Sequence, residues 1–374
     1  MPRVLAVLLA LLLSRAALAA DPVPPALAAK AWLLLDATSG QMLASRNPDE
    51  RIEPASLTKL MTAYIAFSAL KARVLAPAET IPVSERAWRV SGSRMFIEPR
   101  KPVTVEELLH GMIIQSGNDA CIALAEKISG SEAAFVERMN REAARIGMKA
   151  THFTNASGLP DPEHYSTASD LALLASTLIR DYPDHYKLYS EREYRYNDIT
   201  QLNRNRLLWL DPNVDGMKTG HTESAGYCLI ASARRGDRRL LSVLIGASTE
   251  RQRTEESQKL LNFGFLAYEG LRLYEKDQEI GKLSVWKGSE RTLRAGPAAD
   301  LYVTVPSGTA DKLKAELVSE QPLVAPLAKG QRVATLRVAH DGKPFGEYPV
   351  VALESVAPAN FFQRAWDSVA LLFK

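Results

Sequence analysis

Three short patterns in this chain combine residue types that could together cleave an amide. Ser56-Leu57-Thr58-Lys59 sets a hydroxyl and an amine three residues apart, one turn apart on a single helix face. The surrounding residues predict a helix that starts here. Pro54 suits a first turn, where a missing N–H costs nothing, and residues 57–70 are apolar almost all round, the composition of a buried helix. Burial would desolvate Lys59 and lower its pKa toward that of a general base. Ser56, at the positive end of the helix with backbone N–H groups to spare, is an activatable nucleophile.

Ser116-Gly117-Asn118 falls on a connector between helical runs at 105–115 and 119–128. Functional groups favour such positions. Lys218-Thr219-Gly220 leads into strands at 226–234 and 239–247, joined at Arg235-Gly236-Asp237. Neither Ser-x-x-Lys nor Ser-x-Asn is specific alone: Ser68 and Lys71, Ser284 and Lys287, and Ser45-Arg46-Asn47 repeat them by accident, whereas Lys-Thr-Gly occurs once. The signal lies in the order of the three and in their placement on helix, connector and strand.

Acyl transfer assigns each a task. Attack on a carbonyl needs a deprotonated hydroxyl, and Lys59 is the nearest base to Ser56. The leaving amine needs a proton, which Ser116 could relay from Lys59 or Lys218. The backbone N–H of Ser56 can meet the negative carbonyl oxygen. Asn118 can bond the substrate amide, Lys218 adds positive charge, and Thr219 beside it offers a hydroxyl to a substrate carboxylate.

Composition narrows the alternatives. The formal charge of +3 over 374 residues gives no reason to expect nucleic acid. No His, Cys and carboxylate spacing resembles a metal site and no Gly-rich loop follows a strand, so neither metal nor cofactor is expected. Arg3, the apolar run 4–13 and Ala17-Leu18-Ala19 form a secretory signal over residues 1–19, too short to span a bilayer comfortably. Cys121 and Cys228, both in apolar surroundings, are expected to be buried free thiols.

The elements that must position these groups divide the chain. A strand hairpin occupies 30–44, followed by the Ser56 helix, a Pro-punctuated loop region at 77–102, helices at 105–115, 119–128, 132–146 and 169–180, the two strands above, and a closing helix at 249–268. Asn155-Ala156-Ser157 matches a glycosylation triplet, which we treat as chance. From about Leu273 short alternating runs and the Asp341-Gly342 turn predict a small all-β domain. After Pro358, Phe361, Phe362, Trp366, Val369, Leu372 and Phe373 share one helical face, as in a helix lying in a membrane interface. The expected divisions are 1–19, 20–272, 273–357 and 358–374.

The ordered triple resembles the penicillin-recognising serine acyl-transferases, penicillin-binding proteins and serine β-lactamases. Ala55-Ser56-Leu57-Thr58-Lys59-Leu60-Met61-Thr62, Ser116-Gly117-Asn118-Asp119-Ala120-Cys121 and Asp215-Gly216-Met217-Lys218-Thr219-Gly220-His221-Thr222 are most similar to the low-molecular-mass D-alanyl-D-alanine carboxypeptidases of bacterial cell walls. The resemblance implies an α/β (α+β) penicillin-binding, β-lactamase-like transpeptidase domain, with an antiparallel sheet and helices, followed by a β domain. It implies removal of the terminal D-alanine from peptidoglycan stem pentapeptides through an acyl-enzyme, acylation by β-lactams, and a peripheral position on the periplasmic face of the inner membrane. It also implies the His221 N–H as second oxyanion donor, and Arg204 and Arg253 near the substrate carboxylate. A cross-link endopeptidase, a β-lactamase and a non-catalytic wall-binding protein are the competing readings. The lactamase pattern Glu-x-x-x-Asn is met only by Glu193 and Asn197, which lie on a strand-like run, and Gly117 replaces the aspartate usual in those enzymes.

Overall fold

The computed structural model describes residues 22–319 and 321–373; the expected signal lies outside the described residues. A five-stranded antiparallel sheet organises the first domain, in the order Gln41–Arg46, Ala31–Asp36, Arg238–Ala247, Gly226–Arg235, Val214–Thr222. Its three central strands are apolar on both faces, and alternation splits them between two cores. Leu33, Ile230 and Val243 join the helices of the larger core, while Trp32, Leu34, Leu229 and Leu244 pack with Leu260 and Leu261 of the closing helix Glu250–Ala267. The sheet is thus buried between two helical layers.

The Ser56 element differs in detail from the expected continuous helix. Ala55–Thr58 is a 3-10 turn, and the α-helix proper runs from Lys59 to Lys71 with Leu60 to Phe67 buried throughout. Within the 77–102 region, expected as loop, Ser84 caps a short helix Glu85–Arg89, and Thr80–Ile81 pairs with Val103–Thr104. A capping box of Thr104 and Glu107 starts the helix Val105–Ile114.

The closing helix runs directly into Tyr268–Tyr274, which pairs with Leu301–Pro306. Beyond it stands a six-stranded sheet with its own core, including Leu293, Val333, Leu336 and Val350. The Asp341-Gly342 turn, with φ of +50° and +76°, joins Arg332–His340 to Lys343–Ala352 as the sequence predicts. The domains meet at a buried polar joint. Asp36, fully buried, accepts from Arg238 Nε at 2.7 Å and Thr304 Oγ1 at 2.9 Å, and Thr304 N donates to Gln41 Oε1 at 2.6 Å.

The last helix, Phe361–Ala370, starts at an Asn360 cap and turns its polar side inward. Asp367, 1% exposed, accepts from Lys287 N at 2.7 Å and the Arg291 guanidinium at 3.2 Å, while Gln363 donates to the Gly288 carbonyl at 3.3 Å. Phe361, Phe362, Trp366, Val369 and Leu372 face solvent; Phe362 is 83% exposed. No described helix is long and apolar enough to cross a membrane.

Candidate active site

Lys59 is 1% exposed, and its Nζ reaches three oxygens: Ser56 Oγ at 3.0 Å, Asn118 Oδ1 at 2.8 Å and the Ser157 carbonyl at 2.6 Å. Burial is the main reason its pKa falls to about 8, with Arg204 pushing the same way and Cys121 and Asp119 opposing. A carbonyl and an amide oxygen can only accept. A neutral Lys59 therefore spends its two N–H groups on Asn118 and Ser157, and its lone pair is left for the Ser56 hydroxyl.

The Ser157 carbonyl was not legible as a functional group in the sequence. It sits on a loop organised by Asn155, whose Oδ1 accepts the N–H groups of Ser157, Gly158 and Leu159 and whose Nδ2 donates to the Leu159 carbonyl. Both ends of that carboxamide are therefore engaged within the loop. Gly158, at φ +83°, lets this loop lie against the Ser56 turn: a Cβ there would stand 1.8 Å from the Ala55 carbonyl oxygen.

The connector brings the second motif beside the third. Ser116 adopts φ +66° and Gly117 caps the helix Asn118–Ser129. Lys218 Nζ, on the edge strand Val214–Thr222, lies 3.0 Å from Ser116 Oγ. Burial, then the neighbouring charge of Lys59, holds the Lys218 pKa well below that of a free lysine. Asn118 bonds Lys59 through Oδ1 and the Ser91 carbonyl through Nδ2, so one Nδ2 hydrogen remains for a ligand. Asp119, passed over in the sequence, is buried and fixes the facing loop by accepting from Met95, Phe96 and Ile97 N–H.

A pocket of about 340 Å³ opens onto these groups, lined among others by Ser56, Ser116, Arg204, Thr219, His221 and Arg253. Arg253 is buried and donates to two carbonyls, Gly220 O and Arg204 O, each at 3.4 Å; Glu250 stands 3.6 Å away, and Arg253 Nε has no hydrogen-bond partner among the described residues. Arg204 stands exposed on the rim. Such a weakly satisfied buried cation suits an incoming carboxylate.

Comparison with known proteins shows the family. A family described as D-alanyl-D-alanine carboxypeptidase matches residues 18–249, and penicillin-binding protein 5, C-terminal domain, matches residues 268–358. The chain belongs to the D-alanyl-D-alanine carboxypeptidase family. Within it, the chain is 44% identical to the D-alanyl-D-alanine carboxypeptidase DacC of Escherichia coli K12, over 93% of this chain and 89% of that protein. Penicillin-binding protein 5 of Haemophilus influenzae is similar at a TM-score of 0.86 and 41% identity, over 90% of this chain and 99% of that one. The ampicillin-bound penicillin-binding protein D2 of Listeria monocytogenes superposes at a TM-score of 0.60 and 32% identity, over 65% of this chain and 99% of that one.

As a carboxypeptidase-family chain it keeps the lactamase-like letters away from the pocket lining. Glu193 lies on the exposed hairpin Glu193–Tyr196 and Ile199–Leu202, where Asn197 bonds Glu98. Cys121 and Cys228 are buried free thiols, and burial pushes Cys121 up to about 12. Among the described residues no group of His, Cys, Asp or Glu could hold a metal.

Proposed function

We propose that the chain is a serine-type D-alanyl-D-alanine carboxypeptidase that removes the terminal D-alanine from peptidoglycan stem pentapeptides. The observation that carries this reading is the Lys59 amine, tethered by two pure acceptors with its third direction on Ser56 Oγ. Ser56 gives its proton to Lys59 as the oxygen attacks the penultimate D-alanine carbonyl. The N–H groups of Ser56 and His221 receive the developing oxyanion. Ser116, in contact with Lys218, passes a proton to the departing D-alanine amine, which leaves an ester on Ser56 that water then hydrolyses. Asn118 orients the acyl amide, and Thr219, Arg204 and Arg253 hold the terminal carboxylate, which a cleaved mid-chain bond would lack. β-Lactams acylate the same hydroxyl.

Release of free D-alanine from a pentapeptide, measured against cleavage of cross-linked dimers, tests the reaction. Cross-link cleavage as the dominant activity would make the protein an endopeptidase. Fluorescent penicillin should label the parent and not Ser56→Ala; an unlabelled parent would favour a wall-binding protein, and rapid turnover of the label a lactamase.

For localisation, we propose export with cleavage after Ala19 and peripheral attachment through the final helix. The outward apolar face of Phe361, Phe362, Trp366 and Val369 supports attachment, because the helix spends its polar side on its own domain.

A further inference from the structure

His164 lies 106 residues from Thr58 in sequence, yet its Nε2 stands 2.7 Å from Thr58 Oγ1, between nucleophile and base on the Ser56 turn. The ring is 2% exposed. Its other nitrogen, Nδ1, takes the backbone N–H of Thr154 at 3.0 Å, with Thr154 Oγ1 at 3.2 Å. A backbone N–H can only donate, so Nδ1 carries no proton. The proton of the neutral ring is on Nε2 and is donated to Thr58. Thr154 begins the loop that ends at the Ser157 carbonyl. Downstream of it, Ala156 N donates to Glu132 Oε1 at 3.0 Å and the Ala156 carbonyl accepts from Thr62 at 2.6 Å. One imidazole therefore ties the backbone that presents an acceptor to Lys59 to the residue directly before Lys59.

We infer that His164 is a positioning residue for acyl transfer, which holds the Ser157 carbonyl and the Ser56–Lys59 turn in register through Thr154 and Thr58. The inference rests on the proposed reaction at Ser56. Thr58 and His164 do not contact substrate in this arrangement; their effect passes through the Lys59 amine. Loss of the tie lets the loop carbonyl retreat from Lys59 Nζ, and that acceptor favours the protonated amine. Lys59 then titrates at lower pH while proton removal from Ser56 slows through misplacement. Charged and titratable groups near the two side chains are Asp161, His152 and Lys59 around His164, and Asp119, Cys121, Arg204 and Lys218 around Lys59.

The test is the single-turnover rate of fluorescent penicillin labelling on the full chain, from about pH 6 to about pH 10, which brackets the titration of a desolvated lysine. His164→Phe keeps a ring without either bond, and Thr58→Val is close to isosteric. Each should slow acylation about 10- to 100-fold and move the rising limb of the profile to lower pH. The double variant should be no slower than the worse single one. His164→Asn, which can keep the acceptor for Thr154, should recover part of the rate. Lowered thermal stability with an unmoved limb, or additive effects of the two substitutions, would reduce His164 to a packing residue and overturn the inference. So would labelling of both variants within twofold of the parent. Failure of the parent itself to label at Ser56 would instead strike the reading of the reaction.

Discussion

Lys218 Nζ stands 3.0 Å from Ser116 Oγ across 102 residues of sequence, with both side chains nearly excluded from solvent. An amine and a hydroxyl so placed can share one proton. Ser116→Ala and Lys218→Gln should each lower acylation by about 100-fold or more, within the range for general acid–base groups. The double variant should be little worse than either alone. Single-turnover labelling measures all three; additive losses would separate the two residues.

Lys59 should report its own titration. Its pKa is lowered to about 8, chiefly by burial, and only the neutral amine can accept the Ser56 proton, so acylation should rise with pH through that value. Lys59→Arg keeps the charge but cannot shed its proton, so labelling should fall to background at every pH. Retained labelling in that variant would hand the base role to Lys218.

Arg253 should matter only for substrates that end in a free carboxylate. Loss of a charge-assisted bond is worth about 1.5–3 kcal/mol, or about 10- to 150-fold in D-alanine release for Arg253→Ala. The parent should reject a C-terminally amidated peptide, and the variant should lose much of that discrimination, with Thr219 and Arg204 retaining the rest. Rates on the acid and amide pair decide the point.

Gly158→Ala forces a Cβ to 1.8 Å from the Ala55 carbonyl oxygen and 2.8 Å from Thr58 Oγ1, at a φ of +83° that side chains avoid. The expected cost is about 2–4 kcal/mol of stability together with loss of acylation. Thermal denaturation and penicillin labelling measure the two effects. An unchanged protein would mean that the loop and the Ser56 turn can part without harm.

Removal of residues 361–374 should release the protein from membranes and leave D-alanine release from soluble peptides intact. Each large apolar side chain on the outward face contributes about 1.5–3 kcal/mol if fully buried in lipid. Flotation of the full-length and truncated proteins, with activity assayed in each fraction, checks both halves. A truncated protein that stays on the membrane would place attachment elsewhere.

The groups that announced themselves in the sequence are those with distinctive side chains at fixed spacing. Ser56 with Lys59, Ser116 with Asn118, and Lys218 with Thr219 are local patterns, and the structure gathers all of them around one pocket or its floor. The Ser157 carbonyl had no such signal, because every residue owns a carbonyl and only the path of the loop aims this one at Lys59. His164 and Asp119 act through partners distant in sequence, and spacing cannot pair them with Thr58 or with Met95–Ile97. Alternation and turn letters were enough for the two domains and the Asp341-Gly342 hairpin. The 3-10 start at Ala55 lies against the Gly158 loop, a neighbour that comes from far along the chain and that local letters do not reveal. For the last helix, periodicity separates an apolar from a polar side, but only the buried Asp367 reveals which side its own domain takes.

The joint around Asp36 and the seat of Asp367 are both buried and bonded to more than one partner, the first tying the β domain to the catalytic domain and the second tying it to the final helix. Between them the β domain is a strut, not a leash. A catalytic centre on a flexible tether would sweep a broad volume and dilute itself through it. Braced at both joints, this one would work at a set height above a membrane to which its final helix attaches as proposed. Of two equally good stem peptides, it would then trim the one that hangs at that height.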